Sequence, residues 1–450
     1  MLLAWTAPLY SGQTEERQCL ASAFPLLQQH MLSDAEAKLS DCQRQYPQSA
    51  ILNNALGIVY EQEGRKEDAT KAFKKALALL PSFTAAQIHL GTLYANAGNC
   101  DPAKRLLNTA AVSTSDSGAL VASGIGLGQC HDLAGSIRAL EKALQSNPQS
   151  LSAAYNLALA RYQNNEAKAS LEMLNSLPES AKDADILFLK GKVGQALRRS
   201  SPPTERITDT AIAALLSDAC RARVQEDYCT QAALEFIHQE QFADAAGVLE
   251  NALQTAPASV AMLSALGLAR FRLGRYTEAI DAYSKAIQLD PSLEAAREGL
   301  GFLLYMTGDL ERARSVVEAG LHNSESESYL RYLRALILYR QSPDLRPEAL
   351  ASVTAAIDKN PKFAPAYFLR GKIQSDRNDP ADALKDFQSA IRIDPKYSLP
   401  YYRMARIYST MGRTSEAAEA ARQFSLLGSL REDDVLAGQA KARLTPEPDR

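Results

Sequence analysis

Residues Leu263–Pro291 read LSALGLARFRLGRYTEAIDAYSKAIQLDP, and the way small residues are spaced in this stretch decides the fold. Gly267 sits on one apolar helical pattern, and Ala279 and Ala286 on a second. Gly274 falls between them, where a tight turn favours positive φ. Pro291 closes the stretch, because its ring clashes with the preceding helical turn and it offers no N–H. Small side chains at fixed places on two helices let the axes approach to about 8–10 Å, ridges into grooves. The stretch therefore reads as two antiparallel helices joined by a short turn.

Working outward, the same columns recur. Before Gly267 stand Gly57, Gly91, Gly124, Ala158, Gly191 and Ala233; after it come Gly301, Ala335, Gly371 and Ala405. The usual step is 34 residues, with a longer step of 42 between Gly191 and Ala233. A second column holds Ala69, Ala103, Ser136, Ser170, Ala245, Ala279, Ala313, Ala349, Ala383 and Ala417. Prolines close many periods, among them Pro47, Pro81, Pro148, Pro257, Pro361 and Pro395. Gly64, Gly98, Gly308 and Gly412 mark further turns.

On these residues the chain resembles the tetratricopeptide repeat family, whose unit is a helix–turn–helix of 34 residues. Residues 53–81 (NNALGIVYEQEGRKEDATKAFKKALALLP) and 367–395 (YFLRGKIQSDRNDPADALKDFQSAIRIDP) match nearly as well as residues 263–291. The resemblance covers Glu16 to Arg431 in twelve units. It implies an all-α fold, a right-handed superhelical solenoid of antiparallel helix pairs with about 24 helices. The expected organisation is an N-terminal segment at 1–15, an N-terminal array at 16–199, an irregular stretched unit at 200–225, a C-terminal array at 226–431 and a polar tail at 432–450. The stretched unit, around Ser200-Ser201-Pro202-Pro203-Thr204, is the expected place for a bend. The last unit loses its second-helix pattern after Ala417 and is expected to act as a cap.

Composition limits the function. Lys and Arg number 49 against 52 Asp and Glu, a net charge of −3, which argues against general nucleic-acid binding. No run of 18 apolar residues occurs, so no membrane span is expected. The opening MLLAWTAPLY is apolar but short and lacks a basic start. It reads either as a frayed segment or as the remnant of a secretory signal.

The six cysteines bear on the same question. Cys19 and Cys42 lie equidistant from the turn near His30-Met31, and Cys220 and Cys229 from the turn near Val224-Gln225. Cys100 and Cys130 fall in the turns of successive units. Two readings stay open: six unrelated small buried residues, or three disulfides in an oxidising compartment. The pairing and the apolar start tilt the reading toward an exported protein, periplasmic or secreted, rather than a cytoplasmic one.

Catalytic chemistry is not expected. Gly124-Ile125-Gly126-Leu127-Gly128 is glycine-rich but lies inside a helix of the repeat, where it opens no phosphate loop. No P-loop, H-E-x-x-H or G-x-S-x-G motif is present. His30, His89, His131, His238 and His322 are scattered and read as turn or surface residues. Asp433-Asp434 reads as a solvated pair ending a helix. No metal site and no cofactor are expected, and the chain is read as non-enzymatic.

The resemblance implies that the first helix of each pair lines a concave face. Inward positions from Phe271 onward offer Arg272, Phe302, Tyr305, Tyr332, Tyr339, Arg340, Phe368, Lys372, Tyr402 and Arg406. N-terminal units offer Asn54, Ile58, Glu61, Ile88, Thr92, Val121 and Gln129. Tyr and Arg are the usual anchors of protein interfaces, so a protein or extended peptide is expected to bind between Phe271 and Arg406. Against this stands the reading that the rings pack on neighbouring helices and bind nothing. Some family members clamp the C-terminal carboxylate of a heat-shock chaperone with Lys and Asn. The corresponding places here, Asn54/Ile58, Ile88/Thr92 and Val121/Ile125, do not match. Other functions consistent with the residues are an accessory subunit of an enzyme or transport machine, and a carbohydrate- or cell-wall-binding module.

Overall fold

A computed structural model describes residues 14–178, 183–200, 207–321 and 327–428. These form 24 α-helices, a short 3-10 turn at Pro343–Leu345 and no strand among the described residues. The N-terminal opening, Ser201–Thr204, His322 and the tail from 432 lie outside the described residues. The chain divides into two compact units, Met1–Thr208 and Asp209–Arg450.

The first unit holds α1 (Thr14–Gln28), α2 (Leu32–Gln45), α3 (Ala50–Gln62), α4 (Lys66–Leu79), α5 (Thr84–Asn96), α6 (Cys100–Ser113), α7 (Ser117–Gln129), α8 (Leu133–Ser146), α9 (Leu151–Gln163), α10 (Ala167–Ser176) and α11 (Ala184–Ser200). The second holds α12 (Asp209–Ala222), α13 (Glu226–His238), α14 (Phe242–Thr255), α15 (Val260–Arg272), α16 (Tyr276–Leu289), α17 (Glu294–Thr307), α18 (Leu310–Gly320), α19 (Glu327–Gln341), α20 (Arg346–Lys359), α21 (Ala364–Asp376), α22 (Pro380–Ile393), α23 (Ser398–Thr410) and α24 (Thr414–Leu427). Within each unit successive helices pack as antiparallel pairs, and each pair packs on the next. Inside the stretch 200–225, α12 is a regular helix that buries Ile212, Ala213, Leu216, Ala219 and Cys220 and packs on α13.

The small-residue columns have a direct packing cause. A Cβ on Gly267 would stand 2.8 Å from the Tyr283 ring, and one on Gly371 would stand 2.7 Å from Phe387. The glycine of the first helix thus makes room for the large side chain of the second, and Tyr283, Phe73 and Phe387 are among the largest fully buried residues. Where the second column carries serine, the hydroxyl is satisfied: Ser136 Oγ donates to Gly124 O at 2.7 Å and Ser170 Oγ to Ala158 O at 2.7 Å. A buried hydroxyl left without such a partner would be costly. Gly126 serves the same close packing, since a Cβ there would stand 2.6 Å from Leu107.

The turns follow one scheme. After α15, Gly274 takes φ +75°, its N–H reaches Phe271 O at 3.0 Å and Arg275 N–H reaches Arg270 O at 2.9 Å. These bonds satisfy carbonyls that the helix end leaves without partners. The corresponding residue is not glycine after α1, α7, α9, α13 and α21, where His30, His131, Asn165, Glu240 and Asn378 take φ of 57° to 63°. N-cap side chains of Ser49, Asp116, Ser150 and Ser259 accept a backbone N–H at the starts of α3, α7, α9 and α15.

Candidate functional site

The residues expected to line a groove divide into two groups once their surroundings are known. Phe271, Phe302, Tyr305, Tyr332 and Phe368 are buried. Phe271 meets Phe302 edge-on at 5.9 Å, Tyr332 meets Phe363 edge-on at 4.9 Å, and Phe368 lies 5.2 Å from Tyr397. These rings tie each first helix to the next pair, so their area is already spent within the array. Arg272 is enclosed too: its guanidinium lies 4.1 Å over the Phe242 ring and 3.4 Å from Glu240, and burial lowers its pKa.

Tyr339, Arg340, Lys372, Tyr402 and Arg406 form the second group. Tyr339 is half-buried and its hydroxyl donates to Asp376 Oδ2 at 2.8 Å. Burial, with the Asp376 carboxylate beside it, pushes the phenol pKa well above its ordinary value. Lys372 is itself buried, 7% exposed, with Nζ 4.9 Å from the Tyr339 ring centroid and 5.8 Å from that of Phe368, so it does not line an open groove as expected. Arg346, from α20, pairs with Asp376 at 3.2 Å. Arg340 is exposed, yet it donates to Tyr305 O at 2.9 Å and lies over the Tyr305 ring. Tyr402 is 42% exposed, meets Phe424 in a tilted contact at 5.4 Å and carries Arg406 over its ring at 6.0 Å. Sequence reading missed Asp376 and Arg346. Asp376 is the last residue of a first helix and Arg346 begins a second one, so neither stands in the inward columns. The exposed Arg340 and Arg406 are cations backed by the Tyr305 and Tyr402 rings, while Asp376 is engaged by Tyr339 and Arg346. The arrangement can bind an anionic group and stack a flat one.

The N-terminal positions are more enclosed and less charged. Ile88 and Val121 are buried, Ile58 is half-buried, and Gln129 is exposed. Asn54 Oδ1 and Thr92 Oγ1 are buried without a hydrogen-bond partner, and burial raises the Glu61 pKa. His89 departs from the turn-or-surface expectation. It stacks flat on Phe73, rings 5.4 Å apart, and burial lowers its pKa to about 4. His30 and His131 do lie in turns.

The structure bonds the cysteines in three disulfides. Cys19–Cys42 joins α1 to α2, Cys100–Cys130 joins the start of α6 to the end of α7, and Cys220–Cys229 joins α12 to α13. Their Cα–Cα distances are 5.8, 5.2 and 4.7 Å. Among the described residues no group of three or more His, Cys, Asp or Glu could hold a metal ion, and no helix is long and apolar enough to cross a membrane.

Stacked helix pairs with this period, turn and small-residue packing define a helical-repeat protein. The chain belongs to the tetratricopeptide repeat family: three sequence profiles of that repeat match it, one at residues 230–294 and 346–398, one at 131–193, 270–337 and 374–426, and one at 50–83. Proteins of this family bind protein partners. Human tetratricopeptide repeat protein 6 is 28% identical over 30% of this chain and 26% of its own length. The SGT1 homolog of Oryza sativa subsp. japonica is 26% identical over 37% of this chain and 43% of its own. A probable biofilm formation methyltransferase, WspC of Pseudomonas putida, is 39% identical over 17% of this chain and 19% of its own. The chain thus spans less than half the length of each of these curated relatives. Among solved structures, the type IV pilus biogenesis factor PilW is 15% identical with a TM-score of 0.42, covering 47% of this chain and 96% of that one. The Cut9–Hcn1 hetero-tetramer of APC/C is 12% identical with a TM-score of 0.44, covering 96% and 97%.

Proposed function

We propose that this protein is a non-enzymatic scaffold that holds an extended, carboxylate-bearing protein segment along the first helices of its second unit, between Phe271 and Arg406. The observation that carries this reading is the group on α19 and α23, where Tyr339, Arg340, Tyr402 and Arg406 combine cations with aromatic faces, with the buried Lys372 of α21 packed against Tyr339. The whole chain carries a net charge of −3, so a local cationic face would steer an acidic segment to it. The buried rings Phe302, Tyr332 and Phe368 frame the site without touching the partner. A rigid frame loses less entropy when it orders an extended chain.

The test is capture of partners by crosslinking mass spectrometry with the full chain, followed by affinity measurements on variants. Tyr402→Ala with Arg406→Glu should weaken the captured partner about thirtyfold, equivalent to about 2 kcal/mol. Gln129→Ala should leave affinity within about twofold. Unchanged affinity in the Tyr402/Arg406 variant, with its melting curve intact, sinks the assignment. Retention on glycan with no protein captured would favour the carbohydrate module instead.

The disulfides support a second element of the proposal, an oxidising compartment, since such bridges persist where thiols are not kept reduced. Protein from its native source, denatured without reductant, should then show few free thiols. Six free thiols would place it in a reducing compartment.

A further inference from the structure

Each bridge joins a cysteine to the next one along the chain: Cys19 to Cys42, Cys100 to Cys130, Cys220 to Cys229. Six cysteines can pair in many other ways. This connectivity alone lets each bridge close as soon as its second cysteine has entered the oxidising compartment, before any later thiol has arrived to compete. The spans are short, at 23, 30 and 9 residues, so the cost of closure is small. In the folded protein at least one partner of every bridge is sealed: Cys42 and Cys229 are 0% exposed, Cys130 2% and Cys220 5%. Cys19 and Cys100 keep part of their surface. The bridge between α12 and α13 is therefore the one with both sulfurs closed off from an external thiol or disulfide.

We infer that the native bridges form by oxidation of successive cysteines, with no reshuffling step, and that Cys220–Cys229 closes before the second unit completes its packing. The chemistry is thiol–disulfide exchange with an external disulfide. A cysteine thiolate attacks that disulfide and releases one thiol. The second cysteine thiolate then resolves the mixed disulfide and releases another. The chain loses two protons and two electrons per bridge, and the oxidant gains them. The protein is thus a substrate for an oxidant of the disulfide class and needs no isomerase. The inference stands on the bridges and their burial, and does not depend on what the second unit binds.

Two measurements test it. The full chain is reduced, unfolded and returned to native buffer with oxidised glutathione, and free thiols are alkylated at intervals for peptide mapping. Cys220–Cys229 is expected as the first bridge to accumulate, with bridges between successive cysteines in the majority throughout. Adding reduced glutathione as a reshuffling agent should change the native yield by less than about twofold. Early species dominated by other pairs, such as Cys42–Cys100, or a larger gain from reduced glutathione, would overturn the inference. The second measurement needs no refolding. The native oxidised protein is exposed to a thiol reductant without denaturant, and Cys220–Cys229 should be the last bridge reduced. Its reduction before either of the others would show that the site is open in the folded unit and would overturn the order of events.

Discussion

At the scale of single residues, the ring of Tyr283 lies so close to Gly267 that a methyl group at that position would stand 2.8 Å from it. Gly267→Ala should cost about 1–3 kcal/mol, the usual range for overpacking, read as a lowered urea midpoint with an unchanged slope. Glu240 shows the opposite situation. Its φ of +59° is a conformation that costs a residue with a Cβ roughly 1–2 kcal/mol. Its pairing with Arg272 is weakened by solvent on the Glu240 side, where the side chain is 71% exposed, although Arg272 itself is only 8% exposed. Glu240→Gly should therefore raise the melting temperature by a few degrees. A fall would mean that the Arg272 contact outweighs the backbone. His89 makes stability depend on pH. Its folded pKa near 4 lies below the ordinary value near 6.5, so the unfolded chain binds the proton more readily between these limits. Stability that is full above about pH 6.5 is lost as pH falls toward 4. His89→Phe should flatten that part of the stability profile measured by denaturant titration at a series of pH values.

At the scale of elements, the pair is held from both ends. Ser259 caps α15 by accepting the Met262 N–H at 3.3 Å, and its hydroxyl donates to Glu226, the first residue of the preceding first helix, at 2.5 Å. Ser49 repeats this arrangement at α3, accepting from Leu52 at 3.1 Å and contacting Glu16. One side chain therefore ends one helix and registers it against its neighbour. Ser259→Ala should cost about 1 kcal/mol, as N-cap losses do, and raise hydrogen exchange first in the opening turn of α15. Ion pairs are reused at repeat spacing as well: Arg161 with Glu141 at 2.8 Å and Arg270 with Glu250 at 3.2 Å join a first helix to the preceding second helix.

At the scale of the whole molecule, a repeat array gains its stability from contacts between neighbours. Two disulfides lie in the opening helices of the two units, α1–α2 and α12–α13. In the chain-entropy account, loops of 23, 30 and 9 residues are each worth roughly 3 kcal/mol. Reductant added during chemical denaturation should lower the midpoint markedly. Exchange of α1, α2 and α12 should become fast while α15 to α22 keep their protection. Uniform loss of protection across the chain would contradict this local role.

The period, the turn glycines and the closing prolines made the helix pairs legible in the sequence. Each reports a local constraint: a close approach of two axes, a left-handed turn, a missing N–H. The cysteine pairs could be placed level because antiparallel hairpins fix which residues face each other, but only the packed helices bring the sulfur atoms together. The large residues were not legible in the same way. Tyr332, Phe368 and Tyr402 occupy equivalent places in three successive repeats, yet the first two are covered by the next helix pair and Tyr402, in the last described pair, is 42% exposed. Sequence spacing says which face of a helix a ring is on. Whether that face is water or protein depends on what the neighbouring pair brings against it, and this was decided only by the tertiary structure. The same holds for Asp376 and Arg346, which meet Tyr339 from outside its column. The sequence by itself determined the repeat and its turns through short-range sterics, while the choice between core ring and exposed ring is a long-range property of the stacked array.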